Sequence, residues 1–152
     1  MRKALFAGTF DPPTLGHLSI IKRATPLFDQ LTIAVAEDPQ KSSTLLSVKE
    51  RIRLLKELTK LEVVPVEGLL ADYVKAKGFN VLVRALRSAE DVHHELTMAA
   101  ANRELCGVET VLLLSEPEHT YISSTLVRQI ARLGGELKTF VPPAVSKALK
   151  KK

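Results

Sequence analysis

With a single cysteine, Cys106, the chain cannot close a disulfide within itself, and a reducing compartment is expected. Followed by Gly107 after an apolar helical stretch, Cys106 reads as a structural thiol rather than a nucleophile. No apolar run approaches the roughly 18 residues that a membrane-spanning helix needs. The basic start Met1-Arg2-Lys3 leads into an apolar stretch that Asp11, Pro12 and Pro13 cut short, a poor secretory leader. A cytoplasmic protein with no membrane association is therefore expected. Aromatics are few and scattered, five phenylalanines and two tyrosines, which leaves no stacking platform for single-stranded nucleic acid. Net charge is +5, but Lys150, Lys151 and Lys152 supply three of those charges. The body is too mildly basic to argue for a nucleic-acid surface. Also missing are a GxGxxG or Walker glycine pattern, a His/Cys cluster suited to zinc, a catalytic pair of carboxylates, and a serine with its histidine and acid. There is no internal repeat, no low-complexity linker and no second domain.

What is there starts with Gly8-Thr9-Phe10-Asp11-Pro12-Pro13-Thr14-Leu15-Gly16-His17. An apolar run, Ala4 to Ala7, enters it, and a helical pattern begins near Leu18. A strand thus turns sharply into a helix N-terminus, whose free N–H groups and dipole attract anions. Two readings stand at this point: an ordinary βα loop with a surface histidine, or a phosphate site containing an imidazole.

Further along, short β-prone runs alternate with helical patterns. Strands are expected over Leu31–Ala36, Leu61–Val66, Val81–Val83 and Thr110–Leu114, with Pro65 marking an edge strand or a strand's end. Helices are expected behind the capping box Ser47-Val48-Lys49-Glu50, over Leu69–Lys77, and over roughly Ala89–Leu105 with Val92, Leu96, Ala99 and Arg103 on one side. Two more follow Ile122-Ser123-Ser124-Thr125 and Pro142-Pro143. The result is an α/β chain, one domain over residues 1–152, with a doubly wound five-stranded parallel sheet of Rossmann-like type. Ligands in that architecture bind beyond the carboxyl ends of the strands, where the strand order reverses. His17 follows the first strand, Lys41 the second, Arg84 and Arg87 the fourth, and Ser123 to Thr125 the fifth. Converging positive groups and N–H-rich loops suit several phosphates, and transfer at phosphorus needs positioning and charge stabilisation more than covalent chemistry. On the residues alone, Lys41 also reads as a solvated loop lysine, Glu95 as a helix-surface carboxylate, Leu70 as core, and His93, His94 and His119 as surface histidines. Arg84 and Arg87, three apart after a buried strand, occupy a costly place for idle charge.

Thr14-Leu15-Gly16-His17 with Ile122-Ser123-Ser124-Thr125 and Arg128 resembles the paired (T/H)xGH and ISSTxxR signature of the adenylyl- and cytidylyltransferase superfamily. Within it, the GTFDPPTxGH opening, the lysine loop, the R-x-L-R segment and the length resemble the phosphopantetheine adenylyltransferase family. That resemblance implies transfer of the adenylyl group of ATP to 4'-phosphopantetheine. Dephospho-coenzyme A and pyrophosphate would form with Mg²⁺ as cofactor, by direct in-line attack and without a covalent intermediate. It implies that His17 stabilises the transition state and that Thr9, Lys41, Leu70 and Arg84 hold the acceptor. It further implies ATP contacts from Thr9, Phe10, His17, Ala85, Leu86, Arg87, Glu95, His119, Thr120, Tyr121, Ile122, Ser123, Ser124 and Thr125, and no protein metal site. A homohexamer inhibited by coenzyme A is the family's usual form. Two positions depart from the pattern: Ala85 stands where the family has glycine, and His119 where it has an aromatic. The nearest rival is nicotinate-nucleotide adenylyltransferase, disfavoured by Thr14 in place of its histidine; a cytidylyltransferase and a catalytically silent nucleotide-binding regulator are the others.

Overall fold

A computed structural model describes residues 1–37 and 44–151. Lys41, expected at the acceptor phosphate, lies outside the described residues. Among the described residues, five strands form one sheet: β1 (Lys3–Gly8), β2 (Gln30–Ala36), β3 (Glu62–Val66), β4 (Val81–Leu86) and β5 (Glu109–Leu114). Their order is β3-β2-β1-β4-β5, and every pairing is parallel. The helices are α1 (Leu15–Ala24), α2 (Val48–Thr59), α3 (Leu70–Lys77), α4 (Ala89–Cys106), α5 (Ser124–Arg132) and α6 (Pro143–Leu149), with 3₁₀ turns at Thr25–Leu27 and Pro117–His119. β3 is at the sheet edge, where Pro65 costs no ladder bond on its outer side.

Successive residues of a strand face opposite sides, so β1 feeds two cores. Ala4 and Phe6 pack with Ile20, Ile21, Ile33 and Leu55 under α1 and α2. Leu5 and Ala7 pack with Ala34, Val74, Leu82 and Val108 on the other face. A third cluster joins Leu46 and Leu54 to Val127, Leu137, Val141 and Val145, fastening α5 and α6 to α2. The chain runs outward from β1 to β2 to β3, then returns to lay β4 on β1's free side. The carboxyl ends of β1 and β4 therefore splay open a crevice.

Two elements differ from expectation. α1 starts at Leu15, one turn before Leu18, because Thr14 and His17 form a reciprocal capping box. α4 does not bury Val92 and Leu96: they are 37% and 55% exposed, whereas Glu95 and Asn102 are its buried residues. The inward line of α4 carries polar groups because arginines from β4 meet it there.

The cleft between β1 and β4

The strand-to-helix turn after β1 is gripped from several elements. Arg84 Nη1 donates to the Ala7 carbonyl at 2.6 Å, and Arg51 Nη1 to the Thr9 carbonyl at 2.8 Å. Arg128 Nη1 donates to the Asp11 carbonyl at 2.7 Å, and Ser124 Oγ to the Pro12 carbonyl at 3.0 Å. Four carbonyls of one short segment are thus each taken by a side chain remote in sequence. With their oxygens covered by donors, mostly cationic ones, the turn presents an electropositive surface. Asp11, 1% exposed, accepts the Leu45 and Leu46 N–H groups at 2.9 Å each. Arg51, 2% exposed, donates from Nε to the Leu46 carbonyl at 3.1 Å. These two buried charges tie the approach to α2 onto the turn.

Phe10 adopts a left-handed φ of 51° and turns its ring inward, edge-on to Phe6 and to His17, with centroids 5.5 Å and 4.9 Å away. A Cβ on residue 8 would lie 3.1 Å from that ring, which would have to shift by a few tenths of an ångström to make room.

His17 occupies the third position of α1. Its Nδ1 lies 3.0 Å from the Thr14 backbone nitrogen and 3.1 Å from Thr14 Oγ1. A backbone N–H can only donate, so Nδ1 is the acceptor and a neutral ring carries its proton on Nε2. The ring stays neutral: burial, then Arg87, then Arg84 lower its pKa from 6.5 to about 4. His17 at neutral pH is therefore a hydrogen-bond donor and not a cation.

The cleft itself measures about 270 Å³. Of the expected site residues, Thr9, Phe10, His17, Arg84, Ala85 and Arg87 line it from the β1 and β4 ends, and Ile122, Ser123, Ser124 and Thr125 from the start of α5. Ser123 caps α5, accepting the Leu126 N–H at 3.0 Å. Phe10 contributes at the wall, the residue as a whole only 2% exposed. Leu86, Leu70, Glu95, His119, Thr120 and Tyr121 are not among the lining residues. Leu86 ends β4, and its carbonyl accepts the Ser115 N–H. Leu70 packs at the margin of the second core. Glu95 is turned onto Arg84. The His119 carbonyl approaches Gly16, while its Nδ1 is buried without a hydrogen-bond partner among the described residues. Thr120 bonds the Pro117 carbonyl, and the Tyr121 ring meets Phe140 edge-on.

Thr14, Asp91, Ser115 and Arg128 also line the cleft. Thr14 and Arg128 were legible as motif members without an assigned role; Asp91 carried only the faint signal of an acid four residues after Arg87. Arg87 donates to Asp91 from its backbone N, Nε and Nη2 at 2.9, 3.0 and 3.0 Å. Burial would raise the Asp91 pKa, but the bonds and charge of Arg87 outweigh it and hold the carboxyl below its usual range. Among the described residues, three guanidinium groups, one carboxylate and a neutral imidazole donor thus line the space between two helix starts. Such a site suits a polyanion whose charge shifts during reaction. No group of three or more His, Cys, Asp or Glu that could hold a metal occurs among the described residues, nor does any helix there have the length and apolarity to cross a membrane.

The cytidylyltransferase-like family model matches residues 5–130. Phosphopantetheine adenylyltransferase of Corynebacterium diphtheriae is 44% identical over 156 residues, covering 100% of this chain and 98% of that protein. The enzyme of the same name from Kocuria rhizophila is 46% identical over 154 residues, covering 98% of each. Among solved structures, a putative nicotinate-nucleotide adenylyltransferase from Vibrio parahaemolyticus superposes with a TM-score of 0.69 at 18% identity, covering 99% of this chain and 93% of that one. Thermotoga maritima TmcAL bound with alpha-thio ATP gives 0.72 at 11% identity, covering 99% of this chain and 56% of that one. At those identities the solved structures speak for the fold alone. Near-complete coverage at 44–46% identity, with both signature motifs at one cleft, means that the chain belongs to the phosphopantetheine adenylyltransferase family.

Proposed function

We infer that the protein transfers the adenylyl group of ATP to 4'-phosphopantetheine, giving dephospho-coenzyme A and pyrophosphate in coenzyme A biosynthesis. The observation that carries this is the neutral His17, its Nδ1 fixed as acceptor by Thr14, in a cleft with Arg84 and Arg87. An oxygen of the acceptor phosphate attacks the α-phosphorus, and the bond from that phosphorus to the bridging oxygen breaks as pyrophosphate departs. Charge grows on the α-phosphoryl oxygens during this exchange. A fixed Nε2–H donor stabilises that charge without having to reorganise. Arg84, Thr9 and Lys41 are assigned to the acceptor phosphate and Leu70 to the pantetheine arm. Arg87 and the Ser123–Thr125 start of α5 are assigned to the ATP phosphates, which suit a helix N-terminus bearing hydroxyls.

Magnesium enters this scheme as part of the nucleotide. Among the described residues, Asp11 in the turn is engaged with two backbone N–H groups and Asp91 at the cleft with Arg87. Phosphate oxygens and water would then supply most of its ligands. Assembly into the homohexamer that the resemblance implies would cover the apolar residues exposed on α4, Val92, Leu96, Met98 and Leu105. Feedback inhibition by coenzyme A belongs to the same proposal, since the inhibitor shares the acceptor's pantetheine arm.

The test is pyrophosphate release from ATP and Mg²⁺ with 4'-phosphopantetheine, run in parallel with nicotinate mononucleotide and with CTP replacing ATP. Turnover is expected only with ATP and phosphopantetheine. Turnover with nicotinate mononucleotide instead would transfer the assignment to the rival adenylyltransferase. ATP binding without pyrophosphate release would make the chain a silent regulator.

A further inference from the structure

An ordinary surface helix puts its apolar residues inward and its acids outward. α4 does the reverse at its N-terminal half. Val92 and Leu96 face solvent, while Asp91 and Glu95 point at the end of β4. Residues four apart lie on one face of a helix, so the two acids form a short ladder. Each rung meets one arginine. Glu95 accepts Arg84 Nε on Oε2 and Nη2 on Oε1, both at 2.8 Å. Asp91 takes Nε and Nη2 of Arg87 with both oxygens, and the Arg87 backbone N–H as well.

Glu95 is 6% exposed, and a carboxylate so buried is tolerated only when paired. Both of its oxygens already face a guanidinium. Neither acid can approach a triphosphate directly without like-charge repulsion. Their effect on phosphate ligands must therefore pass through the arginines. A free arginine side chain surrenders considerable rotamer freedom when it grips a ligand, and a forked carboxylate meets that cost in advance. Arg84 is held at its far side too, by the Ala7 carbonyl, which ties β4, α4 and the carboxyl end of β1 into one unit.

We propose that Asp91 and Glu95 are positioning residues, one per substrate: Glu95 aims Arg84 at the acceptor phosphate, and Asp91 aims Arg87 at the ATP phosphates. This rests on the roles given to the two arginines above. It departs from the resemblance, which makes Glu95 an ATP contact.

The experiment measures kcat and both KM values for E95Q, D91N, R84K and the double variant R84K/E95Q, each checked by thermal melting. Titration of ATP by calorimetry into the wild type and D91N supplies a readout independent of turnover. The amide variants keep shape but lose one acceptor oxygen. E95Q should raise KM for phosphopantetheine about 10- to 100-fold with little change for ATP. D91N should raise KM and Kd for ATP by a similar factor with little change for phosphopantetheine. In the R84K background, E95Q should add less than about threefold, because the residue through which it acts is already compromised. A rise in the ATP KM of E95Q that persists in the R84K background would overturn the proposal and make Glu95 a nucleotide ligand. Equal effects of both variants on both substrates, tracking the loss in melting temperature, would overturn it as well by reducing the pairs to structural ties. If the wild type turned over neither substrate pair, the functional assignment would fall. The calorimetric comparison would then still decide Asp91, an unchanged ATP Kd in D91N refuting its role.

Discussion

Replacing His17 by asparagine should change how stability depends on pH, in a direction set by the cleft. Asparagine at the third helical position can still accept the Thr14 N–H, so the cap at the start of α1 is retained. The titrating ring is lost. In the folded chain burial, Arg87 and Arg84 lower the pKa of His17 to about 4, against 6.5 when unfolded. Between those values the unfolded state binds more protons, so stability contributed by the neutral ring is fully present above pH 6.5 and lost as pH falls toward 4. Two-state linkage over that window gives about 2 kcal/mol between pH 7 and pH 5. Because the ring borders an open cleft, solvent screening makes that figure a ceiling. Urea denaturation of the wild type and H17N at pH 5, 6 and 7 should show the wild type losing stability relative to the variant on acidification. The ring Cε1–H resonance should move only well below pH 6. Turnover should show no limb from His17 near pH 6.5, since the ring is already neutral well below that pH. A resonance titrating at or above 6.5, or a wild type that gains on the variant in acid, would refute the neutral-donor account.

Four further outcomes are expected. H17A should lower kcat by about 10²–10³ while ATP affinity changes little, as measured by steady-state kinetics with calorimetry; equal losses in both would make His17 a binding residue only. G8A places a methyl 3.1 Å from the Phe10 ring, and urea melts should show a loss of about 1–3 kcal/mol with reduced turnover. R51L removes a buried donor to the Thr9 and Leu46 carbonyls beside Asp11, so chemical denaturation should show about 3–5 kcal/mol lost. L96E puts a charge on the exposed apolar face of α4, and size-exclusion chromatography with light scattering should show a smaller assembly than the wild type; an unchanged mass would mean that this face is not an interface between subunits.

Local features carried much of this protein in readable form. Strand and helix alternation implied the parallel sheet. Ser47 with Glu50 marked a capping box that forms as read, with bonds of 2.8 and 3.2 Å. Pro65 pointed to an edge strand because proline lacks the donor that an inner strand uses. The two signature motifs named the residues that meet at the cleft. Less legible was everything that depended on a partner far along the chain. α4 read only as a helix with Val92, Leu96, Ala99 and Arg103 on one side, because hydrophobic spacing carries no record of arginines eleven and four residues upstream across a strand end. Leu70 and Tyr121 were placed near the site by resemblance; their packing, Leu70 against the second core and the Tyr121 ring against Phe140, was not readable from the motifs.

Sequence by itself determined the kind of fold, the order of its elements and the family, since these follow from periodicity, capping and motif chemistry within short spans. Only the tertiary structure decided what each functional group is chemically. β4 returning beside β1 brings Arg84 and Arg87 to His17 and so keeps the imidazole neutral. The same return lays both arginines against the acids of α4 and brings Arg84 to the Ala7 carbonyl, while α2 and α5 supply the donors to the Thr9, Asp11 and Pro12 carbonyls. Proton affinity and side-chain aim depend on distances across space, and those are set by how strands are ordered in the sheet, which no local pattern encodes.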